Sequence, residues 1–194
     1  MTELGIADSP VAERHAVKFY GNDDSLFSTV AGFLAKGLVH GEPAVVIATE
    51  EHRSGIIRRL GDHSVDVPRA TRSGDLLLLD ARELLDSFMR NSAPDATIFC
   101  PKVGDIVERA LRRRKVVVRA YGEMVDLLWQ DGQSRAAIQL EILWNQLAMQ
   151  YGFWLLCGYS MGHFYKQAIR MEEVCACHAA VYPDDAATFP PENR

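Results

Sequence analysis

With 194 residues, 48% hydrophobic and 24% charged, the chain has apolar material for one sizeable core and the make-up of an ordinary globular domain. The formal net charge of -5 provides no overall positive field, which disfavours a protein that grips nucleic acid mainly through phosphate contacts. Glu3 and Asp8 stand in an N-terminus without an apolar signal region, and the longest apolar runs, Leu76 to Leu79 and Phe153 to Cys157, are too short to cross a bilayer, so a cytoplasmic location is expected.

Residues 1–13 read as a flexible polar lead-in and residues 183–194, rich in proline and acid, as a flexible tail, which leaves one domain over residues 14–182. The first strand is His15 to Tyr20, closed by the turn-forming Gly21-Asn22-Asp23-Asp24. Phe27, Val30, Leu34 and Leu38 then recur at helical spacing as far as His40-Gly41. Ala44 to Ala48 is the second strand, and Thr49 caps a helix through Leu60 whose positive end Glu50 and Glu51 complement. Leu76 to Leu79 is apolar on both faces, as a covered central strand should be, and a helix follows to Arg90. Pro94 and Pro101 break the next stretch; a helix from Lys102 to Arg114 and a β-branched strand, Val116 to Val118, come after. The cations Arg109, Arg112, Arg113, Arg114 and Lys115 suit the carbonyl end of that helix. Helices over Glu123 to Gln130 and Ser134 to Tyr151, a strand from Phe153 to Cys157 and a last helix from His163 to Ala180 complete the order. Alternation of this kind predicts a mostly parallel sheet covered by helices.

Two sets of blocks carry a family pattern. His15-Ala-Val-Lys-Phe-Tyr20, Gly37-Leu38 with Gly41-Glu42, and Thr49-Glu-Glu-His-Arg53 resemble the opening of the DcmR-like sensory domains named from methanogens and methylotrophs, the MEDS family. Arg119-Ala-Tyr-Gly-Glu-Met-Val125, Leu140-Glu141 to Trp144-Asn145, Leu156-Cys-Gly-Tyr159 and the late His178 resemble its remaining blocks, over residues 15 to 182. The same opening is similar to the KaiC branch of RecA-like ATPases. The resemblance therefore implies a three-layer α/β/α fold and a sensory role.

The phosphate-binding loop of those ATPases is missing. A Walker A loop needs glycines that let backbone N–H groups cradle phosphates, then a lysine and a hydroxyl. After Tyr20 the chain offers Gly-Asn-Asp-Asp-Ser, which sets two carboxylates where phosphates would lie. Glu50 and Glu51 occupy the place of catalytic glutamates, but without a phosphate site they read as complements to a helix start. No cofactor is expected.

Gly158-Tyr159-Ser160-Met161-Gly162 spells the Gly-x-Ser-x-Gly nucleophile elbow between a strand and a helix. Only His163, His178, Asp184 and Asp185 follow it, and none has a later strand to hold it in a triad, although upstream His15 or His52 could supply a base. Cys175, Cys177 and His178, with Cys157 or His15 from elsewhere, are a conceivable metal cluster; helical spacing turns Cys177 away from the other two, and no metal is expected.

Open parallel sheets bind ligands at the carboxyl ends of their strands. Tyr20 and Asn22 end the first strand there, Arg119, Tyr121 and Glu123 follow the Val116 to Val118 strand, and Tyr159 ends the last strand. Asn145, one helical turn after Glu141 on an apolar helix, is a further ligand handle. These seven residues are the expected ligand crevice, with Arg119 emerging beside Glu123. The expectation is a non-catalytic, stand-alone sensory or relay domain that binds a small-molecule signal, a partner regulatory protein such as a kinase, anti-sigma or transcription factor, or both. A homodimer is compatible with this reading; direct nucleic-acid and membrane contacts are not part of it. A degenerate nucleotide-binding protein and a serine hydrolase are the alternatives.

Overall fold

The computed structural model describes residues 13–112, 116–164 and 168–184. Arg113, Arg114 and Lys115, and most of the two tails, lie outside the described residues. The elements run β1 (His15–Tyr20), α1 (Asp23–Leu38), β2 (Ala44–Ala48), α2 (Glu50–Asp62), α3 (Val67–Ser73), β3 (Leu76–Asp80) and α4 (Ala81–Phe88). A short hairpin of β4 (Met89–Arg90) and β5 (Ala93–Pro94) leads to α5 (Ala96–Leu111), β6 (Arg119–Gly122), α6 (Met124–Gln130), α7 (Ser134–Tyr151), β7 (Trp154–Ser160), α8 (Ala168–Ala176) and β8 (Ala180–Tyr182).

Six strands form one parallel sheet in the order β3-β2-β6-β7-β1-β8. Helices cover both faces, as the α/β/α expectation requires. On one face α1 and α2 bury Leu26, Phe27, Val30, Leu34, Ile56 and Leu60 against Val46, Tyr121 and Leu156. On the other, α4 to α8 close over Val45, Ile47, Ala120, Leu155 and Cys157 with a larger core that includes Phe88, Phe99, Trp144 and Phe153. Because side chains alternate along a strand, neighbouring positions serve opposite cores.

Local chemistry sets the helix starts. Asn22, Thr49, Asp66, Asp80 and Asp95 each accept a backbone N–H with the side chain, so five helices begin on a side-chain cap. The Asp95 cap moves the start of α5 six residues ahead of the expected Lys102, with Pro101 carried inside the helix. Neither α3 nor the β4–β5 hairpin was expected from the sequence, the helix expected to reach Arg90 ends at Phe88, and further boundaries differ. The strand expected at Val116 to Val118 is displaced to Arg119–Gly122, where its ladder to β2 and β7 lies. The last strand runs on to Ser160, and the last helix stops at Ala176, which frees Ala180–Tyr182 to add a parallel strand beside β1. Pro183 and Asp184, read as the start of a tail, accept hydrogen bonds through their carbonyls from the buried Lys18 Nζ at 2.7 and 2.9 Å.

Candidate functional site: two buried polar clusters

The seven expected residues do not form one crevice. Arg119 is the first residue of β6, so it sits at the amino end of the strand, opposite the edge where Glu123 lies. Its Nε donates to Glu42 Oε2 at 2.8 Å, and its guanidinium packs over Phe33 and Trp154. A Cβ at Gly37 would come within 2.6 Å of the Arg119 side chain, so Gly37, Glu42 and Arg119 form one structural unit that fastens α1 to the sheet. Asn22 is the cap of α1, its Oδ1 accepting from Ser25 N at 2.9 Å.

Tyr20, Tyr121 and Glu123 do meet at the carboxyl ends of the strands, on the side of α1 and α2. Glu123 is 2% exposed and gathers three donors. Thr49 N reaches Oε1 at 2.6 Å, while His52 Nδ1 at 2.6 Å and Tyr121 Oη at 2.9 Å reach Oε2. The other His52 nitrogen faces Asp23 at 3.7 Å. Asp126, equally buried, accepts from Ser160 N at 3.0 Å, Gln130 Nε2 at 3.1 Å and Tyr20 Oη at 3.3 Å, and His163 Nε2 stands 3.2 Å away. Burial works to lower the pKa of His52, but the hydrogen bond and charge of Glu123, with Asp23 and Asp126, raise it above its ordinary value. Asp126 raises that of His163 against the cost of burial. Burial and the two carboxylates hold the Tyr20 and Tyr121 hydroxyls protonated.

Two buried acids are thus tied to two histidines carried by different segments. Sequence reasoning missed His52, Asp126 and His163 as partners. His52 stood in the quoted Thr49 to Arg53 block, but nothing local indicates that it reaches a carboxylate 71 positions away. Its neighbour Arg53 clamps the ends of β2 and β3, donating to Ala48 O at 2.6 Å, Leu79 O at 3.1 Å and Asp80 Oδ2 at 2.9 Å. Glu50 and Glu51 are exposed in the first turn of α2.

Asn145 and Tyr159 belong to a second cluster, on the opposite face beneath α7. His15 Nε2 stands 3.2 Å from Cys157 Sγ and 3.4 Å from Glu141 Oε2. Cys157 Sγ lies 3.6 Å from the same carboxylate, and His178 Nε2 is 3.5 Å from Glu141 Oε1. Tyr159 Oη donates to Glu141 Oε1 at 2.8 Å, and Asn145 Oδ1 lies 3.0 Å from His15 Nδ1. Burial drives the pKa of Glu141 up to about 8 and that of His15 down to about 4, and raises that of the Cys157 thiol. Helical spacing had argued against a cluster here, yet the fold brings His178 to His15 and Cys157, as local spacing does not show.

The Gly158 to Gly162 pentapeptide is not a nucleophile elbow. Ser160 is the last strand residue, with φ -71° and ψ 127°, ordinary extended backbone and not the strained turn that the motif requires. Gly158 has a packing role: a Cβ there would lie 2.6 Å from Tyr121 Oη. A broad surface groove, lined by Leu79, Leu84, Ile98, Lys102, Asp105 and Arg109 among others, runs along α5 and is lined by none of the polar-cluster residues.

The fold and these sites define a parallel α/β/α domain whose polar groups are buried at strand ends and under a single helix. Residues 14–179 match the model of the MEDS family, described as MEthanogen/methylotroph, DcmR Sensory domain, and the chain belongs to that family. No curated protein matches the chain. No helix among the described residues is long and apolar enough to cross a membrane.

Proposed function

We propose that the chain is a non-catalytic sensory or relay domain whose signal acts on the carboxylate–histidine ties at the carboxyl ends of β1, β2, β6 and β7. The observation that carries this reading is the pairing of Glu123 with His52 and of Asp126 with His163. Each tie joins the β6–α6 corner to another segment, the start of α2 in one case and the turn after β7 in the other. A ligand donor that takes the place of an imidazole releases one segment from the corner, and a change at the strand ends becomes a change of surface. Glu123 and Asp126, with Asp23 nearby, suit a small polar or cationic signal better than an anion. Membership of a sensory-domain family supports the role. A partner regulatory protein is the proposed receiver of the signal.

Thermal-shift measurements with a panel of small amines, amides and alcohols test the proposal on wild type and Glu123→Gln. A compound that stabilises the wild type and not the folded variant is the expected result. Equal shifts in both would move the signal site away from Glu123.

A further inference from the structure

We propose that His15 Nε2, His178 Nε2, Cys157 Sγ and one oxygen of Glu141 bind a single zinc(II) ion in a closed, four-ligand site. The four donor atoms all lie within 4.8 Å of one another, and all four residues are buried. Three of the donors, His15 Nε2, Cys157 Sγ and Glu141 Oε2, stand 3.2, 3.4 and 3.6 Å from one another, the size of one face of a small tetrahedron, and His178 Nε2 lies 3.5 Å from Oε1 of the same carboxylate. Metal–nitrogen and metal–oxygen bonds of about 2.0–2.1 Å and a metal–sulfur bond of about 2.3 Å require edges of about 3.3–3.6 Å.

The surroundings orient the donors as metal ligands are oriented. Asn145 Nδ2 donates to Cys177 O at 2.8 Å, which fixes its Oδ1 towards His15 and makes His15 Nδ1 the protonated nitrogen. His178 Nδ1 lies 2.7 Å from Val174 O and is protonated by the same logic. Both Nε2 lone pairs therefore point into the shared space, and His178 Nε2 is buried without a hydrogen-bond partner. A ring nitrogen tied to a carbonyl while the other faces the metal is the usual outer support of a ligating histidine, and Tyr159 holds Glu141 in the same way.

Charge and softness select the ion. A thiolate, a carboxylate and two neutral imidazoles total two negative charges, which a divalent ion cancels in a site with no solvent to do so. Two imidazoles with one thiolate and one carboxylate suit zinc. Binding forms one bond to each donor and releases the Cys157 thiol proton, and the Glu141 proton where that acid is protonated, to solvent; no electron is transferred. Cys177 stands outside the set, its Sγ directed at Glu173 O at 3.4 Å. The ion would join β1, α7, β7 and the segment between α8 and β8, fastening the end of the domain to its sheet.

The test uses the full chain. Protein from zinc-supplemented cells should carry close to one zinc per chain by elemental analysis. After chelation, Co²⁺ should give the d–d bands of a tetrahedral site and a thiolate charge-transfer band. Cys175→Ser should keep both signals, and Cys157→Ser should lose the charge-transfer band. Asn145→Ala, which leaves the ligands in place, should weaken zinc binding about 10- to 100-fold. The proposal is overturned if chelator-treated wild type that is folded by circular dichroism gives no tetrahedral Co²⁺ spectrum, or if Cys157→Ser binds cobalt with the spectrum of the wild type.

Discussion

Glu123 Oε2 and His52 Nδ1 meet at 2.6 Å, although 71 positions separate the two residues. The pair ties the corner after β6 to the first turn of α2, and it makes the stability of the domain dependent on pH. His52 and His163 both hold their protons more tightly in the folded chain than free histidine does. Stabilisation of this sign is fully present below about pH 6.5 and is lost as the pH rises through the folded values. Thermal melts from about pH 6 to about pH 8 should show a steeper fall for wild type than for a His52→Gln, His163→Gln double variant. Parallel profiles would mean that the two histidines make no net contribution.

Arg119 should act on stability and not on signal recognition. Its guanidinium is buried against Glu42, Phe33 and Trp154 at the edge of the sheet opposite Glu123. Arg119→Ala removes a buried guanidinium from the two rings and from the partly exposed Glu42, and should cost about 1.5–3 kcal/mol by urea denaturation. Arg119→Lys should recover only part of it, because lysine lacks the planar group that packs on the two rings. A ligand that stabilises wild type should still stabilise folded Arg119→Ala; loss of that response without loss of stability would contradict the assignment.

Gly158→Ala tests the packing that aims Tyr121 at Glu123. A Cβ at 2.6 Å from Tyr121 Oη forces the ring away, at a cost of about 1–3 kcal/mol. In a Tyr121→Phe background the closest clash is gone, so the same substitution should cost less. Chemical denaturation of the four proteins of this double-mutant cycle gives the coupling; a value near zero would show that the ring and the glycine do not constrain one another.

Nucleotides should not bind in the manner of a RecA-like ATPase. The turn after β1 carries Asp23 and Asp24 in the first turn of α1, and Asp184 Oδ2 would lie 2.6 Å from a Cβ at Gly21. Magnesium ATP or GTP should leave the melting temperature unchanged, whereas binding at a hundredfold excess over Kd would add about 2.7 kcal/mol. In parallel, a fluorophosphonate probe should leave Ser160 unlabelled. Labelling that disappears in Ser160→Ala would revive the hydrolase reading.

The order of strands and helices was legible in the sequence where periodicity and caps agree. Phe27 to Leu38, the Thr49 cap with its acidic neighbours and the Leu76 to Leu79 run each announce their element locally, although the apolar run suggested a covered central strand and β3 is a half-buried edge strand of the sheet. The family was legible too, because each of its blocks is a short run of consecutive residues. Strand β6 was misplaced by three residues since β-branched Val116 to Val118 outscored Arg119–Gly122 on propensity, while the actual strand is fixed by its ladder to β2 and β7. That shift carried Arg119 from the expected crevice to the opposite edge of the sheet.

Partnership between distant side chains was not in the sequence. Propensity and periodicity are properties of a few neighbouring residues, whereas Glu123 with His52, and His15 with Cys157, Glu141 and His178, are brought together by sheet order and by the face on which each side chain emerges. Strand alternation sent Tyr121 to one core and Tyr159 to the other, and so divided one expected crevice into two clusters. The sequence by itself determined most of the elements and their class. Only the tertiary structure decided which buried acids meet which imidazoles, because burial makes an unpaired charge costly and the packed fold alone determines where its partner lies.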